Sequence, residues 1–336
     1  MQKIKLDFCG FWGSFKKDDN LFFNILSKHF EVELSPDPDF VICSNRGDPF
    51  CYMHYDCVRL MFMGENLSPD FTCFDYVIGF DKLDFPDRYF RLPYALYFDS
   101  GRPWLIQPFS REDAERALSE KKHFCNFIYA HRSASGAREK LLSALSEYKP
   151  VVSPGSFMNN VGTKGCTWAE KNRYLRESKF TIACDSISYP GFVTEKLVQP
   201  FMEHSVPIYS GDPLVSDFFA PDAFIRCGGA DGDSVKRAVE RAAYLDSHDD
   251  EYIETLMRFP LAAPDLCVRL YAELEDFLVA VFSQPPQKAF RRVKGFAADR
   301  HEELLRECMR RNAGSGIAAK TKRLAKDVKN RLSSSK

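Results

Sequence analysis

Short apolar runs alternate with longer amphipathic stretches along this chain. KIKLDFCGFW, near the start, reads as a strand. Residues 20–29 follow, with Leu21, Phe22, Ile25 and Leu26 on one helical face. EVELS, DFVICS, VRLMFMG and FDYVIGF are then each short and strand-like. Continuous runs such as LMFM suit strands covered on both faces, as in a parallel sheet flanked by helices. Residues 98–122 break the pattern: DSGRPW is turn-rich and SREDAERALSEKK is a polar helix. A second alternating set begins after them. HFCNFIYA, FTIACDS and VPIYSG read as strands, and 137–148, 171–178, 194–204 and 233–245 as helices. Two βαβα sets predict two parallel sheets with helices on both faces. Ligands in such folds bind at the carboxyl ends of the strands.

A length of 336 residues suits two domains better than one. The expected boundaries are 1–115, 116–283 and a tail, 284–336. An apolar helix over 265–282 ends the second set, and QPPQ breaks the chain after it. The tail holds two helical pieces, 299–311 and 318–332, joined by NAGSG. No internal sequence repeat is evident.

Charge changes this picture at one end. Residues 284–336 carry fifteen Lys/Arg against five Asp/Glu, while the whole chain has a formal net charge of −1. An acidic globule therefore bears a basic tail, and an interaction is expected at the tail. The stripe Leu324, Val328 and Leu332, with Lys320, Lys326, Lys329 and Arg331 around it, suits an anionic membrane surface as well as a solvated end. No apolar run approaches the length of a membrane span. Nucleic acid is not an expected partner, because the tail lacks interleaved aromatics. The eleven cysteines form no CxxC pair and no zinc-spaced cluster with histidine. They read as small buried residues of a reduced compartment, so a cytoplasmic location is expected, with the tail leaving open a peripheral position on the inner face of the cytoplasmic membrane.

The most informative segment is YPGFVTEKLVQPFMEHSVPIYSGDP, residues 189–213. Thr194 is placed to cap a helix whose first turn holds Glu195 and Lys196. Such a helix start in a Rossmann-type unit is a ready anion site, with Lys196 against a diphosphate and Glu195 on a ribose. From the residues alone, an ordinary cap with a surface Glu–Lys pair is the simpler account. Two D-x-D triplets, Asp37–Asp39 and Asp231–Asp233, stand before a strand and at a helix start. They read as turn and cap residues, with Asp233 as the cap, and not as metal ligands.

This segment resembles the nucleotide-sugar signature of the family 10 fucosyltransferases, with its (Y/F)-(V/I)-T-E-K core and following P-I-Y-x-G strand. KFTIACDS stands where the family has K-F-x-I-x-F-E-N-S, so Cys184, Asp185 and Ser186 replace aromatic-Glu-Asn. Phe192 replaces the usual Tyr. FCNFIYAHRSASGAREKLLSAL resembles the start of the family's second domain and places Arg138 at its first helix. SPGSFMNNVG resembles the loop that follows that helix. MFMGENLSPDFTCFDYVIGFDKLDFPDRYFRLP resembles the first-domain signature, where the Glu of G-E-N is Glu65 and its neighbour is Asn66.

The resemblance implies a GT-B fold, two Rossmann-like domains facing across a cleft, with the basic helical tail appended. It implies inverting transfer of L-fucose from GDP-fucose to an oligosaccharide hydroxyl, the 3-OH of N-acetylglucosamine or glucose. Glu65 is implied as the general base and Asn66 as an acceptor contact. Arg138, Asp185, Ser186, Tyr189, Phe192, Val193, Thr194, Glu195 and Lys196 are implied around the donor. Arg138 and Lys196 would flank the diphosphate in place of a metal, so no cofactor or divalent ion is expected to be essential. The departures at Cys184–Ser186 and Phe192 leave open another GDP-sugar or a different 6-deoxy sugar as donor. A non-catalytic binding protein fits less well, because Glu65, Arg138, Glu195 and Lys196 are all present. The loops around 11–20 and 43–55 and residues 98–122 are expected to choose the acceptor.

Overall fold

The computed structural model describes residues 1–97, 109–132 and 135–311. The expected helix over 318–332 lies outside the described residues, as does most of the turn-rich part of 98–122.

In chain order the elements are β1 (Gln2–Cys9), α1 (Leu21–Leu26), β2 (Phe30–Leu34), β3 (Phe40–Ser44), β4 (Val58–Phe62), β5 (Tyr76–Gly79), β6 (Tyr89–Arg91), α2 (Tyr94–Tyr97) and α3 (Arg111–Ser119). Then come β7 (His123–Asn126), α4 (Ala137–Tyr148), β8 (Val151–Val152), α5 (Trp168–Arg176), β9 (Ser178–Cys184), α6 (Glu195–Met202) and β10 (Val206–Ser210). β11 (Ile225–Arg226), α7 (Gly232–Ser247), α8 (Asp249–Met257), α9 (Leu266–Phe282) and α10 (Pro286–Ala289) complete the main body, and a last helix, α11, covers 296–311.

The chain divides into two compact units. One comprises Met1–Ile78 with Leu278–Lys336, and the other comprises Gly79–Phe277. In the first unit the strands run in the order β2-β1-β3-β4-β5, all parallel. In the second they run β11-β10-β9-β7-β8, again all parallel. Counted from the first strand of each unit, these strands follow the order 2-1-3-4-5 in both. The two units therefore share one topology without sharing a sequence pattern. In this order the strand direction of winding reverses between the first and third strands, where a ligand crevice forms.

Burial explains why the strand runs are so apolar. Every residue of β3, β4 and β10 is buried, and six of seven in β9. The second unit's core joins Phe180 and Ile182 of β9 to Leu141 and Leu145 of α4 and to Ala238 and Ala242 of α7. The six fully buried cysteines, Cys43, Cys73, Cys125, Cys184, Cys227 and Cys267, pack as apolar residues, and all eleven are free thiols.

Residues 284–311 of the tail pack on the first unit through buried charges. Asp75 is wholly buried and accepts from Arg59 N (2.7 Å), Arg291 N (2.6 Å) and Arg292 N (2.8 Å). Its carboxylate also pairs with the Arg292 guanidinium. Arg59, 1% exposed, pairs with Glu302 of α11 at 2.5 Å. This part of the tail is thus integral to the first unit. Among the described residues no helix is long and apolar enough to cross a membrane.

Candidate functional site

In the second unit the crevice lies between β7 and β9. Tyr129, just past β7, extends the sheet: its hydroxyl donates to Ile182 O (2.8 Å) and accepts from Cys184 N (2.7 Å). Arg138, in the first turn of α4, fills the crevice and is 3% exposed. Its guanidinium carbon lies 3.8 Å from the Tyr129 ring centre. Nη1 donates to His131 O (2.7 Å) and Nη2 to Cys184 O (3.2 Å), while buried Nε has no partner among the described residues. Arg138 therefore braces the two strand ends and places a cation where the winding reverses.

α6 begins as its sequence requires. Thr194 has extended backbone and its hydroxyl accepts from Lys196 N, closing the helix start. The same hydroxyl donates to Asp185 at 2.5 Å, and Tyr209 donates to the other carboxylate oxygen at 2.7 Å. Asp185 is 2% exposed. Burial pushes its carboxyl up to about 6, against the pull of Lys196 and its two hydroxyl donors. Asp185 thus ties the end of β9 to the cap of α6 and to β10. Ser186, next to it, is exposed.

Glu195 and Lys196 project from the first turn of α6 and pair at 3.3 Å. Burial pushes the Glu195 carboxyl up, but the Lys196 and Lys171 ammonium groups outweigh it and hold the carboxyl below its ordinary value. Lys171 donates to the buried Gln199 side chain at 2.5 Å, and burial lowers its own pKa. Lys171 and Lys196 line one small pocket with Ile128 and Tyr129. A larger pocket of about 600 Å³ shares Ile128, Tyr129 and Lys171 and continues to Gly155, Ser156 and Lys164–Thr167. That volume falls in the range of small-ligand sites. Its walls are the loops after β7 and β8 and the start of α5, which carries a full capping box from Thr167 and Glu170.

The segment 189–193 is shaped by β6 and its flanks, in the same unit. Gly191 has φ +89°, and a Cβ there would lie 2.2 Å from Phe80 O. Its N–H donates to Asp212 at 2.7 Å. Tyr189 donates to Asp81 at 2.7 Å. Phe192, 6% exposed, packs its ring 4.8 Å from that of Phe80. Val193 is fully buried and its carbonyl accepts from Ala95 N at 3.0 Å. Phe192 and Val193 are thus buried in this loop, while Tyr189 is half-buried.

In the first unit the equivalent crevice lies between β1 and β3. Gly10 has φ +72°, and a Cβ there would lie 2.0 Å from Ser44 O. The two loops meet backbone to backbone, with Gly47 N donating to Gly10 O at 2.6 Å. Glu65 follows β4. Asn45 accepts from both Gly64 N (2.8 Å) and Glu65 N (3.0 Å), and Arg46 pairs with the Glu65 carboxylate. Glu65 keeps half of its side chain exposed (51%). Asn66, beside it, is partly exposed. Phe11 and Phe15 stack at 3.9 Å in the loop after β1, with Trp12 edge-on against both.

The structure corrects one cap. Asp231 closes the start of α7, accepting from Ser234 N at 2.8 Å, and Asp233 stands in the first turn. The cap therefore lies two residues earlier than Asp233, and α7 begins at Gly232. Lys171, Asp81, Asn45 and Arg46 carry no sequence signal of their own. Each gains its place from a segment distant in the chain.

Two family models match this sequence. The "Alpha-(1,3)-fucosyltransferase FucT N-terminal domain" matches residues 6–98, and "Glycosyltransferase family 10 (fucosyltransferase) C-term" matches residues 118–257. The chain is 28% identical over 318 residues to the "Alpha-(1,3)-fucosyltransferase FucT" of Helicobacter pylori, covering 83% of this chain and 65% of that protein. It is 32% identical over 107 residues to a "Putative fucosyltransferase R654" of Acanthamoeba polyphaga mimivirus, which is 29% of this chain and 18% of that protein. The chain thus spans just under two thirds of the first relative's length and much less of the second. Among solved structures, a crystal structure of an α1,3-fucosyltransferase superposes with a TM-score of 0.63 at 24% identity, covering 82% of this chain and 90% of the other. A crystal structure of an α1,3-fucosyltransferase with GDP-fucose gives 0.62, also at 24% identity and with the same coverage of both chains. These likenesses establish the fold, two Rossmann-like α/β units of the GT-B type.

Proposed function

The chain belongs to glycosyltransferase family 10, and on that footing we propose that it transfers L-fucose from GDP-fucose to a hydroxyl of a glycan acceptor. The observation that carries the reading is the pocket of about 600 Å³ after β7 and β8, which adjoins two lysines at a capped helix start. A nucleoside diphosphate needs that combination of room, helix N-terminus and cations.

In the reaction the acceptor hydroxyl forms the new bond to the sugar's anomeric carbon as the bond to GDP breaks. Attack from the opposite face inverts that carbon, turning β-linked GDP-fucose into an α-linked product. Glu65, whose side chain is half exposed and pairs with Arg46, takes the hydroxyl proton. Asn66 contacts the acceptor. Lys196 and Arg138 stabilise the charge that builds on GDP, and Glu195 holds the ribose diol. Asp185, Thr194, Ser186, Tyr189, Phe192 and Val193 set the shape of the donor loop. With cations supplied by side chains, no divalent metal is required for transfer. The acceptor hydroxyl is the 3-OH of N-acetylglucosamine or glucose.

A donor-by-acceptor screen tests this reading. GDP-fucose and GDP-mannose are offered with lactose and N-acetyllactosamine, with and without EDTA. EDTA-resistant transfer from GDP-fucose supports it. Preference for another GDP-sugar would trace to Cys184–Ser186 and Phe192. We propose that the protein works in the cytoplasm, with the basic residues beyond 311 drawn to an anionic membrane surface. Salt-sensitive pelleting with anionic vesicles is the check on that placement, and its absence removes the membrane from the account.

A further inference from the structure

Asp70, Cys73 and His301 bring three metal-ligating side chains of different chemistry together in the first unit, and no step proposed above uses them. Their donor atoms, a carboxylate oxygen, a thiol sulfur and an imidazole nitrogen, all lie within 4.8 Å of one another. Asp70 and Cys73 sit on one turn, closed by Cys73 N donating to Asp70 O at 3.1 Å. His301 comes from α11, and its Nε2 lies 3.0 Å from Asp70 Oδ2. Asp70 Oδ1 is held separately by Thr72 N at 2.9 Å, which leaves Oδ2 directed at His301. Cys73 is 1% exposed, whereas Asp70 and His301 are open to solvent on their outer side.

We propose that these three residues bind a zinc-like divalent ion that clips α11 to the first unit. At usual zinc bond lengths, a tetrahedral site spaces its donor atoms about 3.3–3.7 Å apart. The His301–Asp70 pair stands at 3.0 Å and no pair exceeds 4.8 Å, so side-chain adjustment of about 1 Å completes the site. One sulfur, one imidazole and one carboxylate suit zinc or cobalt and disfavour magnesium or calcium, which take oxygen ligands. Water fills the fourth position on the exposed side. On binding, the Cys73 thiol releases its proton to solvent and the sulfur coordinates as thiolate. The ion adds a cross-link between residues more than two hundred positions apart, in line with the Arg59–Glu302 and Asp75–Arg292 pairs nearby.

The test uses the full chain, stripped with EDTA and titrated with cobalt(II). One equivalent is expected to bind with a near-ultraviolet sulfur-to-cobalt charge-transfer band and the visible bands of a tetrahedral ion, and zinc should displace it. Cys73→Ser should abolish the charge-transfer band. His301→Gln, at an exposed position that folding tolerates, should weaken cobalt binding about tenfold or more and remove the rise in Tm that zinc gives the wild type. A titration without a saturable charge-transfer band overturns the proposal. So does a band that survives Cys73→Ser, or an equal rise in Tm in His301→Gln. Fucosyl transfer is measured separately, and its presence or absence bears only on the reading above.

Discussion

The Thr194 hydroxyl stands between two duties: it caps α6 through Lys196 N, and it donates to the buried Asp185 carboxylate at 2.5 Å. The end of β9 and the start of α6 are thereby fixed to each other. Lys196 leaves the helix one residue into its first turn, so its direction depends on this junction.

The junction has a pH signature. The Asp185 carboxyl is pushed from 3.8 up to about 6 by burial, so between these values the folded chain holds a proton that the unfolded chain has lost. Stability attributable to this group therefore falls as pH rises from about 4 to 6, by about 2–3 kcal/mol in all. Asp185→Asn removes the titration but keeps an oxygen acceptor. Urea midpoints across this range should decline less with rising pH in the variant than in the wild type. Parallel profiles would remove Asp185 from the account.

Gly191 is the second sensitive point. Its left-handed backbone and its approach to Phe80 O leave no place for a Cβ. Gly191→Ala should cost about 1–3 kcal/mol and weaken GDP-fucose binding, because the 189–193 loop must shift. Gly232→Ala is the control: nothing lies within 4 Å of a Cβ there, and its effect should stay within about 0.5 kcal/mol. Chemical denaturation and calorimetric titration with GDP separate the two effects.

The tail carries a third prediction. Arg292→Met removes the Arg292 guanidinium that pairs with the wholly buried Asp75 and should destabilise the protein by about 3–5 kcal/mol. Deleting everything from residue 284 onward should leave the first unit unable to fold. A truncated chain with a cooperative, wild-type-like melt would show that α10 and α11 are dispensable.

Much of the fold was legible because its signals are local. The periodicity over 137–148 coincides with α4, and the Thr-Glu-Lys triplet marked the start of α6. β8 and β11, two residues each, are too short to carry a pattern. α8 starts in an acidic run, Asp249–Glu251, that favours the helix start electrically but conceals its apolar face. The shared 2-1-3-4-5 strand order is a tertiary property and leaves no repeat in the sequence. At the site the same division holds. Glu195 and Lys196 are neighbours and could be read together. Lys171 reaches them only through packing of α5 against α6, and His301 meets Cys73 only because the tail folds back on the first unit.

The base assignment is tested most directly by Glu65→Gln, assayed for fucosyl transfer from GDP-fucose to N-acetyllactosamine alongside calorimetric binding of GDP. The amide keeps the size and the contact with Arg46 but cannot accept the acceptor's proton. The account predicts that kcat falls by about 10²–10⁴-fold while GDP affinity is unchanged. Wild-type turnover in this variant would contradict it.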